Sequence, residues 1–599
     1  MLRSRDTPIS ASALATAQEA VAQAVHLGMQ AVTVGDSASA EALVRLDRQA
    51  NELRNHETAK LLARSIHAMQ NRDFAKGEKL ALKALERDNT LGVAWHVLGI
   101  AREKTGDFAG SMHCYDAALK LLPNQGAVAG DLGRLAFRMD MPEIAAKFFI
   151  HYLNERPGDL EGINNLACAL RELNRCSDAI EVLRPAINAN PEQPLLWNTL
   201  GTVMCSLGDA LTGVTFFDEA LRLAPDFGKA YHNRAYAKID LGDVEGALAD
   251  CDLAMALPDS DHDLATMKFG RATILLAAGR VEEGWKTYEA RFSPVLTEAP
   301  RFTIEGQRWV PGEPLAGKHL MICAEQGLGD EVMFANLLPD VVEALGPDGK
   351  LTIAIERRLI PLFERSFPQA RVVPHKTVSY EGRVYRGAPS IEDWSDIDLW
   401  TPMATLLEIF RPSIASFPNR PNFLDADPER VAHWRRVLEN APKGRKIGVL
   451  WKSLKLDGER ARQFSPFLLW RPVFEVPGLS FVNLQYGDCA EEIAMAKKEF
   501  GVDIWQPPGI DLKQDLDDVA ALSCAMDLVL GFSNATINLA GACGAPIWML
   551  TGASSWTRLG AADAYPWYPQ TRCFITPDYK DWNPTMQQVG DALRERFPA

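Results

Sequence analysis

Two strand-to-helix turns in this 599-residue chain set polar side chains where chemistry could be done. The first, ICAEQGLGDEVMF at 322–334, places Gly327, Gly329 and Asp330 at the junction of an apolar run and a helical one. Glycines let a backbone bend tightly beside a ligand, and a carboxylate held there can take a proton from a hydroxyl. The same Asp could serve only as a helix cap. The second, LVLGFSNATINLAGACGAP at 528–546, passes through Ser533, Asn534 and Thr536 into a helix carrying Ala540, Gly541, Ala542 and Gly544. Free N–H groups and the dipole at a helix start favour a phosphate. A capped helix packed closely on its sheet gives the same pattern.

Other positions could serve such a site. Trp451-Lys452-Ser453 follows an apolar run, so Lys452 could project toward a phosphate, and Gln485 closes the next run. Acidic residues recur as D-x-D triples at Asp396/Asp398, Asp425/Asp427 and Asp515/Asp517. An acidic chain produces such triples by chance and uses them as caps, so no metal site is read from them. The ten cysteines contain no C-x-x-C pair, which leaves zinc and redox motifs without support.

These turns need strands that lead into helices. From His319 onward the apolar runs His319–Ala324, Leu351–Ile355, Ile447–Trp451, Phe481–Gln485, Leu528–Gly531 and Ile547–Leu550 alternate with helical segments. That rhythm predicts parallel sheets with helical crossovers. The proline-rich stretch Pro412–Pro428 divides them into one lobe over 318–417 and another over 418–599, behind a linker at 293–317. Two such lobes would face each other across a cleft lined by loops at the carboxyl ends of the strands.

Upstream the period changes. Prolines fall at Pro123, Pro157, Pro191 and Pro225, each 34 residues after the last. That is the tetratricopeptide period of two helices per unit. Gly99, Gly133 and Gly201 keep the register, and Gly106, Gly208, Gly242 and Gly279 mark the turn between helices. The pattern predicts an all-α superhelix over 58–292, with five clear repeats to about 258 and a looser sixth near 264–292. Residues 1–57 read as helical without register. Such an array presents a concave groove. Asp131, Asn165, Thr199 and Asn233 are expected to face it, where an amide can hold a peptide backbone through donor and acceptor. The alternative is solvated polar positions with no ligand.

A formal charge of −15 argues against a nucleic-acid or anionic-membrane binder, which would show a clustered basic face. No apolar run approaches 18 residues, so no membrane span is expected. The N-terminal stretch lacks a secretory apolar core. A cytoplasmic location follows as the expectation.

Together GWKTYEARF (284–292), AEQGLGDEVMF (324–334), IGVLWK (447–452), FVNLQYGD (481–488), the 515–550 segment and PWYPQTRCF (566–574) resemble bacterial tetratricopeptide proteins with a C-terminal GT-B glycosyltransferase domain. That domain is distantly similar to heptosyltransferases. The resemblance spans 58–599 and implies two Rossmann-like lobes, with the acceptor side at 318–417 and the donor nucleotide side at 418–599. It assigns Asp330 as the catalytic base. It assigns Lys452 and the turn with Ser533, Asn534 and Thr536 to the donor, and Gly327, Gly329 and Gln485 are expected beside them. Two positions depart from the family pattern: Ser533-Asn534-Ala535-Thr536 replaces an Asp-Thr turn, and Asn538 replaces a histidine. Within this group the chain looks like flagellin glycosyltransferases, which implies transfer of a pseudaminic-type acid from its CMP form to Ser or Thr. The expected chemistry is inverting and metal-independent, with no cofactor beyond the nucleotide-sugar substrate. The repeats would capture the acceptor, and residues 300–599 alone would bind the donor. A non-catalytic repeat scaffold and a sugar-nucleotide epimerase are the rival readings.

Overall fold

In the computed structural model, residues 43, 45, 46 and 56–598 are described, apart from 124, 297, 298, 381, 382 and 455–457. The segment 1–57, expected to be helical, lies largely outside the described residues. From 56 to 288 the chain forms consecutive helix pairs. They are His56–Gln70 with Phe74–Arg87, Gly92–Thr105 with Phe108–Leu121, Gly126–Arg138 with Pro142–Glu155, and Leu160–Glu172 with Cys176–Ala189. Pro194–Ser206 with Ala210–Leu223, Gly228–Asp240 with Val244–Ala256, and Asp261–Ala277 with Val281–Tyr288 complete the array.

The turn inside each pair requires a left-handed residue, and the chain supplies one at a constant interval. Gly106, Gly208 and Gly242 take φ of 90°, 84° and 78°, while Arg72, Asp140 and Asn174 take 59°, 57° and 57° at the equivalent positions. Glycine meets this need without strain, and Asn or Asp tolerates it. Six helix pairs fill 56–256, where the sequence pattern counts five repeats. Between paired helices an aromatic ring fills the space a missing Cβ leaves. A Cβ on Gly99 would stand 2.5 Å from Tyr115, one on Gly133 2.6 Å from Phe149, and one on Gly201 2.6 Å from Phe217.

The second half carries two five-stranded sheets, parallel throughout. The first runs Gln307–Arg308, Leu399–Pro402, His319–Cys323, Lys350–Ile355, Ala370–Pro374 across its width. The second runs Leu479–Asn483, Arg445–Leu450, Leu528–Phe532, Ile547–Gly552, Arg572–Thr576. Their central strands are buried on both faces, as continuous apolar runs require. Strands 301–302 and 307–308 lie inside the stretch read as a linker. The former joins the hairpin Lys376–Tyr380/Arg383–Gly387 in a small third sheet. Among the described residues, no helix is long and apolar enough to cross a membrane.

The array is seated on the sheets by specific bonds. Arg291 donates from Nε and Nη2 to both oxygens of Glu325, each at 2.8 Å, with both side chains buried. Trp285 stands edge-on to Trp556 and Trp567, and its Nε1–H donates to the Arg411 carbonyl at 3.0 Å. The turn at Gly279 (φ 79°) meets the turn at Gly560 (φ 73°), where an added Cβ on Gly560 would lie 2.5 Å from the Gly279 Cα. The GWKTYEARF segment is therefore the seam between the two halves.

Candidate functional site

Strand order locates the site. In the second sheet Arg445–Leu450 and Leu528–Phe532 are neighbours from which the sheet extends in opposite directions. In the first, His319–Cys323 and Leu399–Pro402 hold the same relation. A crevice opens beyond the carboxyl ends of strands where the order reverses, and ligands settle there. The residues following 323, 450 and 532 line one cavity of about 350 Å³, large enough for a small molecule. Gly327, Gly329 and Asp330 come from the first turn and Ser533, Asn534 and Thr536 from the second. The repeat array supplies a third wall through Tyr236, Asp240, Thr273 and Ala277.

The first turn is held under backbone strain. Gln326 takes φ 63°, a left-handed conformation for a non-glycine residue, of the kind that persists when its surroundings over-determine it. Those surroundings are visible: Gln326 Nε2 donates to the Tyr288 hydroxyl at 2.7 Å, and Arg386 donates to the carbonyls of Ala324 and Gln326. Behind them His375 Nε2 meets Glu331 at 2.8 Å, and the Glu356 N–H donates to the other Glu331 oxygen at 2.9 Å. Gly327 then caps helix Leu328–Phe334, and its N–H donates to Asp330 Oδ2 at 3.2 Å. Asp330 is 8% exposed, so its carboxylate combines capping with a place on the cavity wall.

The second turn meets the first directly. Asn534 caps helix Ala535–Ala542 by accepting from the Ile537 N–H at 3.1 Å, and its buried Nδ2 has no hydrogen-bond partner among the described residues. Asn538 Nδ2 donates to the Gly329 carbonyl at 3.1 Å, and Asn538 Oδ1 accepts from the Tyr568 hydroxyl at 3.2 Å. The amide that departs from the family pattern thus fastens the two turns together. Arg358, Arg460, Arg462 and Lys513 also line the cavity, against the carboxylates of Asp240 and Asp330. Four cations gathered in a chain of net charge −15 favour an anionic ligand. Among the described residues no cluster of His, Cys, Asp or Glu is arranged to hold a metal.

Lys452 and Gln485 are placed differently from expectation. The Lys452 ammonium pairs with Glu492 and stands off the cavity wall. Gln485 is 1% exposed, and its Oε1 accepts from the N–H groups of Trp451 and Lys452 at 3.0 and 2.9 Å. It shapes the end of the neighbouring strand. The cations that do line the cavity were missed; Arg460 and Arg462 in GERARQF just past a strand were the legible signal.

Of the four groove positions, Asp131 and Asn165 line a small pocket of the array beside Arg134 and Tyr152, while Thr199 and Asn233 turn to the neighbouring repeat. Asp131, Asn165, Thr199 and Asn233 are all buried. Each sits where it can reach the residue 35 positions earlier, on the preceding repeat. His96 Nε2 meets Asp131 at 2.5 Å, Thr199 donates to Asn164, and Asn233 Nδ2 donates to Asn198 at 3.0 Å. For Asn165 the earlier residue is Gly130, and its Oδ1 accepts from Asn164 instead, at 3.2 Å. The side chains form a polar ladder between repeats, because a buried amide or hydroxyl must be satisfied.

These features define a class: a tetratricopeptide-type helical array joined to an α/β region of parallel sheets, with a polar cavity where the two meet. The chain belongs to the family of protein FlbA of Caulobacter vibrioides, with which it shares 64% identity over 593 residues, 99% of each chain. The array alone is similar to tetratricopeptide repeat protein 36 of Bos taurus, 31% identical over 102 residues, 17% of this chain and 54% of that protein. Among solved structures, the tetratricopeptide protein TTC0263 of Thermus thermophilus is 22% identical, covering 31% of this chain and 99% of its own, with a TM-score of 0.28. No protein-family model matches the chain.

Proposed function

We propose that the chain is a protein O-glycosyltransferase of GT-B type, moving a sugar from a nucleotide-sugar to a Ser or Thr hydroxyl in the cytoplasm. The observation that carries this reading is the cavity itself. It brings a buried carboxylate, the start of a phosphate-compatible helix and four cations against a wall of the repeat array. Asp330 takes the proton as the acceptor oxygen attacks the anomeric carbon from the face opposite the leaving phosphate. The N–H groups at the start of helix Ala535–Ala542, with Arg460, stabilise that phosphate as the glycosidic bond breaks. The acceptor hydroxyl enters beside Tyr236 and Thr273. The motif resemblance supports flagellin as acceptor and a CMP-linked pseudaminic-type acid as donor.

The test is intact-mass analysis of flagellin incubated with the purified chain and CMP-pseudaminic acid. A mass increment that survives EDTA is expected; an unmodified acceptor, or turnover that returns only with added Mg²⁺ or Mn²⁺, overturns the reading. The scaffold alternative draws on two observations, the use of Asp330 as a helix cap and of Lys452 in a pair with Glu492. A chain that binds CMP and flagellin yet transfers nothing is that scaffold.

A further inference from the structure

We infer that Asp240, a residue of the repeat array, is a positioning residue for the cationic wall of the cavity. The inference rests on the nucleotide-sugar reading above and names a part of the site that lies outside the sheets. Asp240 ends helix Gly228–Asp240 and reaches across the seam. Its Oδ2 accepts from Arg462 Nη1 at 2.6 Å, and its Oδ1 accepts from the Ser554 hydroxyl. All three residues line the cavity, and the paired side chains are 7% and 8% exposed.

Arg462 is gripped from the other side as well. Its guanidinium lies 4.7 Å from the Tyr579 ring centre, and its carbonyl accepts from Trp582 Nε1 at 3.2 Å. The Tyr579 hydroxyl is 3.3 Å from the Ser554 hydroxyl, which closes the network onto Asp240. Arg462 belongs to the short 3-10 turn Gly458–Gln463, which also sets Arg460 and Gln463 on the wall. A 3-10 turn this short has poor internal hydrogen-bond geometry and depends on what it packs against. The carboxylate of Asp240, which fastens it, comes from the array. Removing one partner of a buried pair leaves the other charge uncompensated, so the turn would move rather than keep Arg462 in place. The array therefore sets where Arg460 stands, and capture of a polypeptide and seating of a phosphate share one rigid frame.

A second bridge across the same seam supplies the control. Lys580 Nζ pairs with Asp209 at 2.6 Å, and neither residue lines the cavity. Full-length Asp240→Ala, Asp240→Asn and Asp209→Ala chains would be compared by calorimetry with CMP and UMP as probes, and by the rate of tryptic cleavage after Arg460 and Arg462. Asp240→Ala should weaken nucleotide affinity by about tenfold, the loss expected when a charged hydrogen bond to the ligand is misplaced. Cleavage within 458–463 should quicken by about as much, since it tracks the open population of the turn. Asp240→Asn, which keeps the shape and loses the charge, should shift both readouts in the same direction, and it carries the test if the alanine variant does not fold. Asp209→Ala should match the wild type in both.

Wild-type affinity with a protected turn in the Asp240 variants overturns the inference. So does an equal loss in Asp209→Ala, which would make Asp240 one more docking contact. If the wild-type chain binds neither nucleotide, the nucleotide reading fails separately, and the cleavage rates alone decide the role of Asp240.

Discussion

Asp330 carries the chemical burden of the reading. Asp330→Asn keeps the size and the cap of helix Leu328–Phe334 and removes the base. Transfer should fall by about 10²–10⁴-fold with CMP affinity unchanged, checked by a timed mass assay beside calorimetry. Lys452→Ala should leave CMP affinity near the wild-type value, because its ammonium already pairs with Glu492 away from the cavity. A tenfold loss there would restore it to the donor site. His96 offers a pH prediction. Burial, with Arg134 and Arg45 nearby, pushes its imidazole down to about 3 from an ordinary 6.5, so it is neutral when folded. It donates its Nε2 hydrogen to Asp131, which leaves the buried Nδ1 an acceptor without a partner among the described residues. The unfolded chain binds the extra proton below 6.5, so this stabilisation is complete above that pH and lost as pH falls toward 3. The slope is about 1.4 kcal/mol per pH unit in that window. Urea unfolding across pH 4–7 should show a pH dependence steeper in the wild type than in His96→Gln by about that slope.

At the scale of elements, close backbone contact joins the array to the sheets. The turns at Gly279 and Gly560 touch, both with positive φ. Gly560→Ala adds a Cβ into the Gly279 backbone and strains its own, so the loss should be on the order of 1–3 kcal/mol, read as a lower Tm. An unchanged Tm would mean that the contact is dispensable. The elements themselves were largely legible. The 34-residue proline interval is a property of local turn chemistry, and it appears as helix starts at 92, 126, 160, 194 and 228. Among the strands that were missed, Ala370–Pro374, Leu399–Pro402 and Arg572–Thr576 are short and carry polar or proline residues among their apolar ones. Periodicity over so few positions does not separate a strand from a loop.

At the scale of the molecule the two halves form one folding problem. Cutting between 292 and 300 removes Arg291 from Glu325, whose carboxylate is fully buried. An uncompensated buried charge costs about 3–5 kcal/mol. The fragment 300–599 should therefore melt well below the full chain and bind CMP weakly, against the expectation that this half alone binds the donor. Co-expression of 1–292 should restore both, and a fragment with full-length Tm and affinity would show the seam to be ornamental. Asn233→Ala should likewise lower the stability of the array, because its amide bonds Asn198 within the wall of the repeats.

By itself the sequence determined what depends on neighbours along the chain: the repeat period, the turns that need positive φ, the alternation of strands with helices, and the two turns that carry Asp330 and Asn534. Only the tertiary structure decided which polar groups are free to act. Thr199 and Asn233 look the same in sequence whether they face a groove or the next repeat, and the 35-residue offset that satisfies them exists only once repeats stack. Lys452 and Arg460 both sit a few residues beyond a strand, yet one meets Glu492 and the other the cavity. Tyr236 and Asp240 of the third wall come from a helix more than 80 residues before the first turn. Side-chain partners are set by distances through space, and those distances follow from how the array seats on the sheets.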